Sequence, residues 1–326
     1  MEKIDNWKLS IKDAVRNLDD LLEILEIEKT DLWINPTKNN FPILVPKSFI
    51  SRMKKGDPED PLLLQVLPSS EENTISPNLS DDPLNECSLS SKGIIKKYSS
   101  RDLLITTQAC PIHCRYCFRK NYPYQENHFI DHQSQEMIND LQSRKEIKEI
   151  ILSGGDPLSL SNEKISSLIN KLEKIEHLLT IRIHTRYPII IPERVDDELI
   201  KVLKLTRLNI IIVTHCNHAN EIDKKVHNKL LSLKESGLTL LNQSVLLKNI
   251  NDSIGSLKDL SYTLFNAGVL PYYLHQMDAI NGSARFMVDE KKAINLIEQL
   301  KSQVSGYLVP KLVKEIPGEL SKTSLA

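Results

Sequence analysis

The sequence is poor in several things at once, and each shortage excludes something. No apolar run approaches the roughly 20 residues that span a bilayer, so no membrane partner is expected. Charge of one sign is missing too: 42 Lys+Arg stand against 43 Asp+Glu, a net charge of -1. There is therefore no overall field to draw nucleic acid, and no nucleic-acid partner is expected. Met1-Glu-Lys-Ile-Asp5 leads into a charged segment without an apolar h-region, so no secretory signal is expected and the protein is read as cytoplasmic. Glycine is scarce, at ten residues, and cysteine at five. The rest is ordinary: 40% hydrophobic and 26% charged residues exclude disorder throughout the 326-residue chain. That length holds two domains or one large one. The few cysteines are unevenly placed. Cys110, Cys114 and Cys117 fall close together, while Cys87 and Cys216 are isolated. Clustered cysteines in a cytosolic chain suggest metal chemistry rather than disulfides.

Patterning divides the chain. Trp7, Ile11, Ala14, Leu18, Leu21, Leu22 and Leu25 recur at helical spacing and predict a helix from Asn6 to about Glu28. A second helix is expected from Lys47 to Lys55, ended by Gly56-Asp57-Pro58. Residues 67–92 are rich in Ser, Asn, Asp, Glu and Pro and read as a polar surface linker. The expected organisation is a helical N-terminal region (1–66), that linker (67–92) and a catalytic barrel (93–326).

From there, strand-like runs alternate with amphipathic ones. Strands are expected at Leu103–Thr107, Glu149–Ser153, Thr180–Thr185, Asn209–Thr214, Thr239–Ser244, Leu270–His275 and Tyr307–Val309. Helices are expected at Glu163–Lys174, Glu221–Ser236 and Lys291–Lys301. Such alternation implies βαβ units and a parallel sheet. The fold class is α/β, a full or partial TIM-like barrel.

Active sites of parallel barrels lie at the C-terminal ends of the strands. Six successive strands here run into polar or unusual residues: Cys110 to Arg119, Gly154-Gly155-Asp156-Pro157, His184-Thr185-Arg186, Thr214-His215-Cys216-Asn217-His218, Asn242-Gln243-Ser244 and His275-Gln276-Met277-Asp278. Loop polarity alone does not produce six such coincidences in register, so an enzyme is expected. The Cys-x3-Cys-x2-Cys spacing brings three soft ligands into one tight loop, which suits an iron–sulfur cluster or zinc. His113, inside the loop, is a possible fourth zinc ligand. Gly154-Gly155 is conspicuous in a glycine-poor chain and suggests that backbone there must approach something closely.

With an aromatic residue, Tyr116, before its last cysteine, the Cys110–Cys117 loop resembles the radical S-adenosylmethionine signature. Cys114-Arg-Tyr-Cys117-Phe-Arg119, Leu241-Asn-Gln-Ser-Val-Leu-Leu247, Pro271-Tyr-Tyr-Leu-His275 and Ser305-Gly-Tyr-Leu-Val-Pro310 narrow the resemblance to the lysine 2,3-aminomutase family. Within it they are most similar to the branch serving (R)-β-lysylation of elongation factor P. The resemblance implies a partial (β/α)6 barrel and three cofactors: a [4Fe-4S] cluster on Cys110, Cys114 and Cys117, S-adenosylmethionine on its open iron, and pyridoxal 5'-phosphate. It implies that Lys322, in Pro317-Gly-Glu-Leu-Ser-Lys322-Thr, is catalytic and carries pyridoxal phosphate as a Schiff base, with Lys97, Tyr98 and Arg101 facing that cofactor. Arg119 is implied to bind the substrate α-carboxylate, and Asp278 and Glu315 the ε-ammonium of L-lysine. Gly154, Gly155, Asp156, His215, Gln243 and Arg186 are implied to face S-adenosylmethionine.

The implied reaction is a 1,2-amino shift. A 5′-deoxyadenosyl radical removes hydrogen from Cβ of pyridoxal-bound lysine, nitrogen migrates from the α to the β carbon, the hydrogen returns, and β-lysine leaves. Implied partners are an electron donor of flavodoxin or ferredoxin type and, functionally, a β-lysine ligase and elongation factor P. The chain also departs from typical members. Gly-Glu-Leu-Ser replaces four glycines before Lys322, Glu315 stands in for an aspartate, and four residues follow Lys322 in place of an extension. The last departure argues against the oligomer those members form. Two alternatives stay open: a metabolic aminomutase acting on lysine or glutamate, and a zinc-stabilised, non-catalytic barrel. Asp278 and Glu315 disfavour glutamate, whose side-chain carboxylate they repel.

Overall fold

The computed structural model describes residues 6–33, 35, 41–73, 77–91, 93–124 and 134–326. Among them, ten strands form one sheet whose order follows the sequence. The strands are β1 (Ser90–Ser91), β2 (Ile94–Ile95), β3 (Arg101–Thr107), β4 (Glu149–Gly154), β5 (Thr180–Thr185), β6 (Asn209–Thr214), β7 (Thr239–Leu246), β8 (Leu270–Gln276), β9 (Lys311–Lys314) and β10 (Thr323–Ser324). Pairing is parallel from β3 through β9. Short antiparallel strands flank this run at both edges. Strands β3 to β8, each followed by a helical connection, make a partial (β/α)6 barrel, the form implied by the family resemblance where the alternation left full and partial barrels open.

The strands form where apolar, β-branched residues are continuous. Glu149-Ile-Ile-Leu-Ser-Gly154 is buried from its second residue onward, as strands covered on both faces are. The helices pack one apolar stripe against them, for example Ile165, Leu168, Ile169 and Leu172 in Asn162–Leu172. Their starts are set by short polar side chains. Ser161, Asp196, Asp223, Ser253 and Asp289 each accept a backbone N–H of the first turn.

Four expectations are corrected. The single N-terminal helix is two, Asn6–Lys12 and Leu18–Leu25. Asn17 accepts from the Asp20 N–H and starts the second, and Glu26 ends it in the left-handed region at φ 58. The Lys47–Lys55 helix is only Lys47–Ile50, and the Arg52 Nη1 donates to the Ile189 carbonyl at 2.7 Å. The Tyr307–Val309 strand is a 3-10 turn, Gly306–Leu308, and β9 begins at Lys311. The stretch 67–92 is not a surface linker throughout, because Ser69, Leu84 and Glu86 are buried. Residues 74–76 and 92 of that stretch lie outside the described residues. Trp7, Leu21, Val45 and Phe49 share one apolar core with Ile150, Ile181 and Ile212 of the sheet. No helix among the described residues is long and apolar enough to cross a membrane.

The turn after β4 rests on the chain leaving β3. Gly155 N bonds to the Thr107 carbonyl at 2.6 Å and Asp156 N to the Ala109 carbonyl at 2.7 Å. A Cβ on Gly155 would lie 2.3 Å from the Ala109 oxygen and 2.6 Å from the Gln108 carbonyl carbon. Both are backbone atoms and cannot swing away. Gly154 has φ +121, and a Cβ there would lie 2.5 Å from the Thr107 oxygen. The close approach expected of this pair is therefore to the strand that feeds Cys110. Gly155→Ala is expected to lower stability by about 1–3 kcal/mol, as overpacking does. Gly255→Ala, with nothing within 4 Å of the new Cβ, is expected to raise stability by up to about 1 kcal/mol. Urea unfolding midpoints of the two variants check this, and equal midpoints would refute the close-packing account.

Candidate active site

The Cys110–Cys117 loop leaves β3 and is held from outside by the N-terminal segment. His113 N bonds to the Leu44 carbonyl at 3.0 Å and Arg115 N to the Gln65 carbonyl at 2.9 Å. The His113 Nδ1 lies 2.9 Å from the Pro42 carbonyl, and its ring stacks on Phe41 at 5.0 Å. Arg115 is fully buried and pairs with Glu72, its Nε lying 2.9 Å from one carboxylate oxygen. Burial pushes the Cys110 thiol up and Cys117 to about 11. A bound cation offsets that cost by stabilising the thiolates. Cys110, Cys114 and Cys117 offer three thiolates from one loop, the soft donor set that a four-iron cluster takes on separate irons.

Behind Cys114 stands Arg186, at the end of β5. Its Nη1 donates to Cys114 Sγ at 2.7 Å and to the Tyr116 hydroxyl at 2.8 Å. Its Nη2 donates to Glu221 at 2.8 Å and to Gln65 at 3.3 Å. The Arg186 Nε is buried without a hydrogen-bond partner. Asp156 accepts from Thr185 Oγ1 at 2.7 Å, Arg186 N at 2.7 Å and Leu158 N at 3.0 Å. Its carboxylate thus ties β4 to β5. Burial still raises Asp156 to about 6.

In the middle of the mouth, Gln243 Nε2 lies 2.9 Å from His215 Nε2 and 3.4 Å from His184 Nδ1. Burial, with Arg186 and Arg119 nearby, lowers His215 to about 3, and burial lowers His184 and His275 as well. All three imidazoles are neutral at neutral pH. The Nε2 atoms of His184 and His275 are buried without a hydrogen-bond partner, which suits a polar ligand in the barrel.

The far side is dense with charge. Glu315, just past β9, pairs with Lys97 and Lys322 and accepts from the Tyr98 hydroxyl at 2.8 Å. Burial alone would raise Glu315, but Lys322 and Lys97 hold it well below the usual carboxylate range. Arg101 lies over the Tyr98 ring at 3.9 Å. Burial and then Glu315 raise Asp278 to about 7, against the opposing pull of Lys322 and Lys97. Arg119 is buried between Glu86, at 2.7 and 3.0 Å, and Ser153, at 2.8 Å. Glu86 also lies 3.7 Å from Lys97. Lys97, Tyr98, Arg101 and Lys322 with two unpartnered ring nitrogens nearby fit an anionic, polar cofactor such as pyridoxal phosphate.

Most residues singled out from the sequence lie at or past the C-terminal ends of the strands, whereas Arg101 opens β3 and Lys97 and Tyr98 precede it. Sequence reasoning missed three acceptors, Glu72, Glu86 and Glu221, and gave no role to Asn217, which it named only among the polar residues after β6. Asn217 Nδ2 donates to the Tyr116 hydroxyl at 2.6 Å and to Gln65 at 3.1 Å. Glu221 accepts from the backbone of Asn217 and His218 at 2.9 and 3.1 Å. Its place three residues after His218 is the capping-box spacing, a signal that could have found it.

Residues 100–232 match the family model described as a 4Fe-4S single cluster domain. The L-lysine 2,3-aminomutase of Escherichia coli K12 is 43% identical over 98% of this chain and 94% of its own. That of Haemophilus influenzae is 42% identical over 98% and 96%. That of Clostridium subterminale is 30% identical over 98% of this chain and 77% of its own. Among solved structures, Streptococcus suis SuiB superposes with a TM-score of 0.51 and 14% identity, covering 71% of this chain and 52% of that one. That likeness is one of fold. With a four-iron cluster domain on the cysteine loop, a partial barrel around it, and aminomutases similar over nearly the whole length, the chain belongs to the lysine 2,3-aminomutase family of radical S-adenosylmethionine isomerases.

Proposed function

We propose that the protein converts L-lysine to (R)-β-lysine by a 2,3-amino shift, in the service of elongation factor P β-lysylation. The observation that carries this is the closeness of Asp278 to Glu315 in the same charged region that holds Arg119 on Glu86. Two acids press on each other there, and Asp278 is raised to about 7. An ε-ammonium relieves that repulsion, whereas a glutamate side chain would add to it. A planar guanidinium suits the α-carboxylate. Its Glu86 and Ser153 partners hold Arg119 in one orientation.

Lys322 would hold pyridoxal phosphate, with Lys97, Tyr98 and Arg101 at its phosphate end. When bound, that group stabilises the migrating nitrogen, and the cluster with S-adenosylmethionine supplies a deoxyadenosyl radical. Cys110, Cys114 and Cys117 would hold the cluster; Gly154, Gly155, His215 and Gln243 would line the S-adenosylmethionine side. The Asp156 carboxylate acts through the backbone it clamps. Buried walls exclude water from the radical. The elongation factor P branch is favoured by Glu315 and by the Gly-Glu-Leu-Ser run before Lys322. A flavodoxin- or ferredoxin-type donor would reduce the cluster. A β-lysine ligase would consume the product, and the setting would be the cytoplasm.

The deciding experiment is anaerobic incubation of the reconstituted protein with L-lysine, S-adenosylmethionine, pyridoxal phosphate and dithionite. β-Lysine of R configuration on chiral chromatography is the expected product. Recovery of unchanged α-lysine would overturn the assignment, and the S enantiomer would favour a metabolic role. Borohydride reduction is expected to leave a covalent pyridoxyl adduct on the wild type and none on Lys322→Ala; an adduct on the variant refutes the role of Lys322. Asp278 faces Glu315, Lys322, Lys97 and Glu86. Its raised pKa means that it is protonated below about pH 7 and anionic above, so ammonium binding strengthens as pH rises. The apparent KM for lysine is expected to be about tenfold higher near pH 6 than near pH 8. Asp278→Asn is expected to flatten that profile, and an unchanged slope would exclude Asp278 as its source.

A further inference from the structure

We infer that Arg186 is a positioning residue for the cluster's electronics: through its hydrogen bond to Cys114 Sγ it raises the reduction potential of the iron–sulfur centre. The inference rests on the cluster being held by Cys110, Cys114 and Cys117, and not on the identity of the amino-acid substrate.

The argument starts from cost. A buried guanidinium is expensive unless its environment requires it, and Arg186 is only 6% exposed. Apolar packing does not account for this arginine, because its environment is polar. Nη2 is held by Glu221 and Gln65, and Nη1 is divided between Cys114 Sγ and the Tyr116 hydroxyl. The backbone is fixed as well, since Arg186 N donates to Asp156. Side chain and main chain are therefore both clamped, with one edge of the guanidinium at a sulfur.

The direction of the pair decides its effect. Glu221 sits on the Nη2 side and Cys114 on the Nη1 side, so the Arg186–Glu221 dipole turns its positive end toward the sulfur. Buried charges interact strongly across short distances because little water screens them. A donor on a thiolate withdraws electron density from the iron it binds, and hydrogen bonds to ligating sulfur are among the controls on cluster potential. Reduction adds one negative charge to the cluster. A fixed positive charge beside Cys114 stabilises the reduced form more than the oxidised form, so the potential rises. The Tyr116 hydroxyl competes for the same Nη1 group. Asn217 and Gln65 hold that hydroxyl in place, which limits how much of the donor reaches the sulfur. The unpartnered Nε leaves Arg186 a further donor for an anionic ligand.

Two substitutions push the potential in opposite directions, which a general loosening of the fold would not do. Arg186→Gln removes the charge, and Glu221→Gln removes the anion that compensates it while keeping the side chain's shape. Each full-length protein is reconstituted anaerobically with iron and sulfide, without S-adenosylmethionine or lysine, and titrated with dithionite under EPR. The Arg186→Gln cluster is expected to be at least tenfold harder to reduce, about 59 mV for one electron. The Glu221→Gln cluster is expected to shift the other way. An iron-loaded Arg186→Gln protein with the wild-type potential overturns the inference. If that variant takes up no iron, Glu221→Gln decides alone, and an unchanged or lowered potential there overturns it. Absence of iron from the wild type would instead refute the placement of the cluster itself.

Discussion

The site depends on one contact with no slack, where the turn after β4 lies on the chain leaving β3. Two main-chain bonds, at 2.6 and 2.7 Å, join Gly155 to Thr107 and Asp156 to Ala109. Only glycine fits at that approach, because a Cβ would meet backbone. The contact fixes the residue before Cys110, and the Asp156 carboxylate passes the constraint to Thr185 and Arg186. Strands β3, β4 and β5 thus share one rigid junction made from main chain and one acid. Loops carry function best when the scaffold positions them.

Much of this was legible in the sequence, and the reason differs between elements. Asn209–Thr214 begins and ends as patterning predicts because it reads as an apolar run closed by polar residues, and Thr180–Thr185 because it alternates, with Ile181, Ile183 and Thr185 buried. The cysteine spacing, the glycine pair and the polar strand ends were legible because they are local. Glu72 and Glu86 were not. Each lies in a run whose composition says solvent, and each is buried by a partner far along the chain. Arg115 is 43 residues from Glu72, and Arg119 is 33 from Glu86. Composition reports the average cost of burying a segment, and a single ion pair can reverse that cost at one position. The N-terminal helix failed for a smaller reason: Asn17 offers its side chain to the backbone, and a capping residue inside an apolar repeat starts a new helix.

Electrostatics divide the mouth into two charged regions with a neutral one between them. On one side Arg186 and Glu221 compensate each other beside Cys114. On the other Lys97 and Lys322 grip Glu315, and Arg119 grips Glu86. His184, His215 and Gln243 lie between, and burial keeps both rings uncharged. Neutral side chains in this position hydrogen-bond without adding a third field. Both regions still reach the middle, since Arg186 from one and Arg119 from the other help to lower His215.

The carboxylates themselves are unequal, and the inequality bears on selectivity. Glu315 has three partners and is held well below the usual range. Asp278 has the same neighbours at longer range and is raised to about 7. Near neutral pH Glu315 is fully ionised and Asp278 only in part. An incoming ammonium stabilises the ionised form of Asp278, displaces its remaining proton and makes both acids useful at once. A neutral side chain offers no such exchange and leaves Asp278 partly protonated. A cationic chain end is thereby favoured by the cost that any other chain end leaves unrelieved, which is how a buried site discriminates when contact area alone would not.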